Sequence, residues 1–135
     1  MSEINVRISV FLQSILDECN LIFQLNERVP VDRNLGKTIE DTMLFRSIAV
    51  SEQRIGEAAS QIMKLSNGKV VELYPAIPWH EIRGLRNHFV HDYLSFDESI
   101  IINTALDDIP SLYPLIKKFL DDLNGGGCDI GKLIL

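Results

Sequence analysis

Thiol chemistry is nearly missing from this chain: Cys19 and Cys128 are the only cysteines. They stand far apart, with neither redox nor metal-ligand spacing, which predicts two free thiols in a reduced, cytoplasmic protein. Positive charge is short as well. Thirteen Lys+Arg against nineteen Asp+Glu leave a net charge of -6. A general nucleic-acid coat protein carries a basic stripe that releases counterions from the phosphate backbone, so that class is excluded. An acidic protein that acts on RNA must do so through a local basic cleft. No uninterrupted apolar run approaches the ~20 residues of a membrane span. The start, MSEINVRISV, lacks the basic-then-apolar layout of a signal peptide. No membrane association is expected. There is no internal repeat, and no low-complexity tract apart from Gly125-Gly126-Gly127.

What is present is helical periodicity and enough apolar residues, 46% of 135, for one core. Ile4, Ile8, Phe11, Ile15, Ile22 and Leu25 fall on one stripe of a first helix, which should stop near Val29-Pro30. Thr38, with Asp41 three residues on, resembles a capping box for a second helix. Its stripe is Leu44, Ile48, Ile55, Ala59 and Ile62, and Ser66-Asn67-Gly68 ends it. Gly56 sits inside that helix, where glycine costs ~1 kcal/mol against alanine, so it should permit close approach of another helix. Residues 70–77 read as a short helical turn and a loop. Pro78 suits the first turn of a third helix running to about Tyr93. Asp97 is placed to cap the next, and Pro110 should kink or break it. Leu112, Leu115, Ile116, Phe119 and Leu123 resume the stripe, and Asn124 with the glycines ends it. The expected architecture is all-α, an antiparallel helical bundle over residues 1–123, followed by a loosely held glycine-rich tail, 124–135.

Chemistry concentrates in Trp79 to Tyr93, WHEIRGLRNHFVHDY. That stretch holds all three histidines, His80, His88 and His91, together with Arg83, Arg86 and the sole Trp. Histidine both takes and gives a proton near neutral pH. Arginine grips a phosphate with two parallel hydrogen bonds. Together they point to a phosphate-directed site. A histidine can deprotonate a ribose 2′-hydroxyl or protonate the leaving 5′-oxygen. An arginine can stabilise charge on the phosphoryl oxygens. The nucleophile is then the substrate's own hydroxyl, and no metal or other cofactor is required. On a regular helix Arg86 and His91 lie about 140° apart. Asn87 and His91 share one face, while Arg86 and Tyr93 lie along the apolar side. A two-fold dimer would bring two copies of this helix together and line one cleft with two Arg/His sets.

Arg86-Asn87-x-x-x-His91 is similar to the Arg-x(4–6)-His motif of HEPN-domain ribonucleases, and with Tyr93 it matches the longer Arg-x4-His-x-Tyr form of HepT-like toxins. Ile55-Gly56-Glu57-Ala58 resembles that family's helix-two signature. Ile77-Pro78-Trp79 with Gly84-Leu85-Arg86-Asn87 resembles the approach to its catalytic helix, and Asp108-Ile109-Pro110 fits its last, kinked helix. The likeness covers nearly the whole chain except the tail. It implies a HEPN-like bundle that dimerises, with the active site in the cleft between subunits. It implies a metal-independent endoribonuclease, the toxin of a type VII HEPN/MNT toxin–antitoxin pair, with Arg86 and His91 catalytic. Its partner would be an MNT-type nucleotidyltransferase antitoxin that silences it by transferring AMP to Tyr93. Added negative charge and bulk in the cleft would exclude RNA phosphate.

Blander readings stand beside this one. Arg86 can be a structural arginine paired with Glu57, His91 a capping or core histidine, and Tyr93 an ordinary core tyrosine. Asn87 reads as a positioning residue, bonding His91 or phosphate, and Glu57 as its support across the helix pair. His80 and Arg83 belong to a solvated face, and Trp79 and Phe89 to the core. His88, His91 and Asp92 are close enough to approach a metal ion, though no fourth ligand is evident. A non-catalytic dimerisation module associated with a nucleotidyltransferase is the alternative from another functional class.

Overall fold

A computed structural model describes residues 1–87 and 98–134. The proposed roles of His88, His91, Asp92 and Tyr93, the core role of Phe89 and the capping role of Asp97 fall outside these described residues. Within them the fold is all-α, with no strand among the described residues. The helices are α1 (Glu3–Asn26), α2 (Ile39–Leu65), α3 (Lys69–Leu73), α4 (Trp79–Gly84), α5 (Glu98–Asn103), α6 (Ile109–Asn124) and α7 (Ile130–Leu133). The long helices pack antiparallel around one core.

The two stripes read from the sequence meet in that core. Ile8, Ile15 and Ile22 of α1 face Ile48, Ile55, Ala59 and Ile62 of α2, all fully buried. Each buried isoleucine contributes about 2 kcal/mol by leaving water. Ile116 and Phe119 of α6 close the third side, and Trp79 meets Phe119 edge-on with ring centroids 6.1 Å apart. The buried indole is satisfied: its Nε1 donates to the Tyr74 carbonyl at 3.1 Å. α1 has the length and mean hydropathy, 1.2, that a membrane span needs. Its apolar stripe is nonetheless taken up by this core, with Leu12, Leu16 and Cys19 buried beside the isoleucines.

Local signals set the helix ends. Thr38 Oγ1 accepts from Asp41 N–H at 3.1 Å, one half of the expected capping box. The other half is redirected. Asp41 Oδ2 accepts from Gly36 N–H at 2.8 Å instead of returning to Thr38, which ties the connector onto the first turn of α2. At the far end Asn67 (φ 51°) and Gly68 (φ 79°) take left-handed conformations, and Gly68 N–H closes onto the Met63 carbonyl at 2.9 Å.

Two findings depart from the sequence reading, and the expected break near Pro110 takes a definite form. The helix carrying the basic cluster leaves α geometry after Gly84 and tightens into a 3-10 turn, Leu85–Asn87; its expected run to Tyr93 lies outside the described residues. The break near Pro110 takes the form of a π-helical turn, Thr104–Asp108, that joins α5 to α6. Proline lacks the N–H that an α-helical ladder needs, and a wider turn just before it accommodates the loss. The final residues are not loosely held. Ile130 is fully buried, and buried Asn5 of α1 donates to Asp129 Oδ1 at 3.1 Å while accepting from Gly131 N–H at 3.1 Å.

Candidate active site

The site is built on α2. Gly56 and Ser60 are four residues apart and share the helix face that meets α4 and the turn after it. At Gly56 the fit is backbone to backbone. A Cβ there would lie 2.5 Å from the Arg86 nitrogen and 2.8 Å from the Ile82 carbonyl oxygen. The glycine is therefore what lets the Leu85–Asn87 turn sit against α2, as its position in the sequence suggested. Ser60, one turn further along, is buried and takes the Arg86 side chain. Arg86 Nη1 donates to Ser60 Oγ at 2.7 Å. A hydrogen bond to a charged group contributes about 1.5–3 kcal/mol, enough to hold the half-buried guanidinium in one orientation.

Glu57 is not its partner. Arg86 and Glu57 form no ion pair, and Glu57 Oε1 instead accepts from Gln61 Nε2 at 3.2 Å along the exposed face of α2. Among the described residues no carboxylate neutralises the guanidinium. Next to it opens a polar cleft of about 450 Å³, lined among the described residues by Gln53, Arg54, Glu57, Arg86 and Asn87. Arg86, Asn87 and Glu57 are thus brought together as the sequence suggested. Asn87 is exposed at the mouth of the cleft. His80 and Arg83 stay outside it, with Arg83 Nη2 lying 3.3 Å from His80 Nδ1.

A larger groove of about 690 Å³ runs between α4 and the α5–α6 segment. It is mostly apolar, lined by residues such as Ile82, Leu85, Ile100 and Leu112, and its only described charges are Glu81 and Asp108. Among the described residues it offers a phosphate no cation, whereas the smaller cleft holds Arg54 and Arg86. Among the described residues no group of three metal-ligating side chains occurs.

Besides Gln53 of the cleft lining, sequence reasoning missed three residues of this neighbourhood. Ser60 had a signal, its spacing of four from Gly56 on the face that packs α4. Arg54 had none beyond its charge. A third, Glu52, lies one turn before Gly56. It is fully buried, and neither carboxylate oxygen has a hydrogen-bond partner. Burial first, and then the nearby Asp108 charge, push its carboxyl up from 4.5 to about 9, so it is neutral at pH 7.

The sequence pattern described as "Ribonuclease HepT-like" matches residues 15–119, a span that runs from α1 through this cleft into α6. The chain belongs to the HepT-like ribonuclease family. Among HepT-like relatives, the "Putative RNase TTE0752" of Caldanaerobacter subterraneus subsp. tengcongensis is 29% identical over 110 residues, covering 82% of this chain and 91% of the relative. The "Putative RNase MJ1380" of Methanocaldococcus jannaschii is 27% identical over 105 residues, covering 78% and 89%. The "Probable ribonuclease HepT" of Thermococcus cleftensis is 26% identical over 108 residues, covering 80% and 91%. No solved structure matches this HepT-like chain significantly.

Proposed function

We propose that this HepT-like chain is a metal-independent endoribonuclease and the toxin of a HEPN/MNT toxin–antitoxin pair. The observation that carries the reading is Arg86 in a ribonuclease family member, held by Ser60 at the wall of a polar cleft with no described carboxylate against it. In the reaction His91 removes the proton of a ribose 2′-hydroxyl. The 2′-oxygen attacks the adjacent phosphorus, and the bond to the 5′-oxygen breaks. The products are a 2′,3′-cyclic phosphate and a 5′-hydroxyl, which receives a proton. Arg86 places N–H donors on the phosphoryl oxygens as their charge grows. Asn87, exposed beside it, positions the phosphate. DNA lacks the 2′-hydroxyl and is spared.

The active form is a homodimer in which two copies of the motif line one cleft, and it works in the cytoplasm. A nucleotidyltransferase antitoxin of the MNT type silences it by transferring AMP to Tyr93. The new phosphodiester puts negative charge where the RNA phosphate binds.

Growth after induction of this chain alone, beside His91→Ala matched for soluble expression, tests the reading. Arrest by the native chain and not by the variant is the expected result. Arrest by both removes His91 from the mechanism, and arrest by neither removes the active toxin.

A further inference from the structure

We infer that Arg54 is a second phosphate-binding residue of the cleft, holding the RNA backbone beside the phosphodiester that Arg86 engages. This rests on the ribonuclease reading above and names how that site takes its substrate. Arg54 and Arg86 come from different elements, α2 and the turn after α4, yet line the same cleft of about 450 Å³.

Four other cations of this acidic protein, Arg33, Lys69, Lys117 and Lys118, are paired with carboxylates where they stand. Arg33 grips Asp107 with both terminal nitrogens, at 2.8 and 2.9 Å. Lys69, Lys117 and Lys118 each pair with a carboxylate on their own helix. Arg54 differs. Its side chain is 69% exposed, and its one ion pair is a single long contact, Nη1 to Glu18 Oε1 at 3.4 Å. Glu18, only 13% exposed on α1, holds one edge of the guanidinium across the α1–α2 seam. The rest of the fork is available at the cleft wall, where two N–H groups match two oxygens of a phosphodiester.

Among the described residues the one acid lining the cleft, Glu57, pairs with neither arginine. Glu57 bonds to Gln61, one turn along α2 in the direction away from Arg54. With net charge -6 there is no general attraction for RNA, so binding depends on the few cations that converge on this cleft.

The test measures binding of a short single-stranded 2′-O-methyl RNA, which is not cut by 2′-hydroxyl attack, across a salt series. Cleavage of the unmodified RNA is followed in parallel. Arg54→Ala should weaken binding about five-fold and lower the slope of log K against log salt by about 0.7, the loss of one phosphate contact on a single strand. In cleavage it should raise KM and leave kcat within about two-fold. Arg54→Lys should keep most of the salt slope. Lys69→Ala, the same charge change on α3, should alter neither affinity nor slope. Native affinity and slope in Arg54→Ala overturn the proposal while native cleavage keeps the ribonuclease reading. Equal losses in Arg54→Ala and Lys69→Ala also overturn it, because the effect is then net charge. Native protein that neither binds nor cuts RNA overturns both.

Discussion

Alanine at Gly56 should damage this protein in spite of improving its helix. The substitution gains about 1 kcal/mol of helix propensity. Against that, the added methyl would stand 2.5 Å from the Arg86 nitrogen and 2.8 Å from the Ile82 oxygen, the first roughly an ångström short of ordinary contact. Both neighbours are backbone atoms, so no side chain can rotate away, and overpacking of this kind falls toward the upper end of ~1–3 kcal/mol. The net expectation is a loss of about 2 kcal/mol and a fall in Tm of roughly 6 °C. Function should suffer more than stability. Relief of the clash moves the Leu85–Asn87 turn, and a displacement near an ångström at a reacting centre costs about 100-fold in rate. Gly84→Ala is the matched control, since a Cβ there meets nothing within 4 Å. It should be neutral or stabilising by about 0.5 kcal/mol. Thermal denaturation and RNA cleavage on the two variants decide the matter. If Gly56→Ala is as stable and as active as the native chain, or if Gly84→Ala is equally harmful, close packing does not place the turn.

Two further perturbations follow from buried polar groups. Glu52 keeps its proton in the folded state up to about pH 9, whereas the unfolded chain releases it near 4.5, so stability falls as pH rises through that window. Glu52→Gln should flatten the fall and add on the order of 2 kcal/mol at pH 8; urea denaturation curves that stay parallel for both proteins between pH 5 and 9 contradict this. Asn5→Ala removes the bonds to Asp129 and Gly131 and should cost about 1–3 kcal/mol. Hydrogen exchange should then quicken at residues 130–133 well before it does in α2, and unchanged protection there refutes the anchoring role.

Much of the fold was legible because it rests on short-range rules. The stripes of α1 and α2, the Thr38 cap and the left-handed stop at Asn67-Gly68 are set by residues within a few positions of one another, and each appears in the structure. What was illegible depends on partners remote in the chain. Asn5 and Gly131 are 126 residues apart, and no local pattern announces that they bond. The choice of Ser60 over Glu57 by Arg86 is a matter of side-chain direction on a face that carries both. The π-helical turn is a hydrogen-bonding adjustment around Pro110, whose presence marked the place but not the form. Arg54 was one arginine among thirteen basic residues until its neighbours gave it a location.

Glu52, Gly56 and Ser60 occupy successive turns along one line of α2: an unpaired acid, a bare backbone and a hydroxyl. Two of these positions support the turn that carries Arg86. An alanine at Gly56 or a larger residue at Ser60 reshapes the floor on which the Arg86 turn rests. Robustness and chemistry therefore compete for the same line of α2, and directed evolution toward a hardier protein has room elsewhere. The outward positions of that helix, Ile39 and Met43 among them, are exposed and touch neither the line nor the cleft.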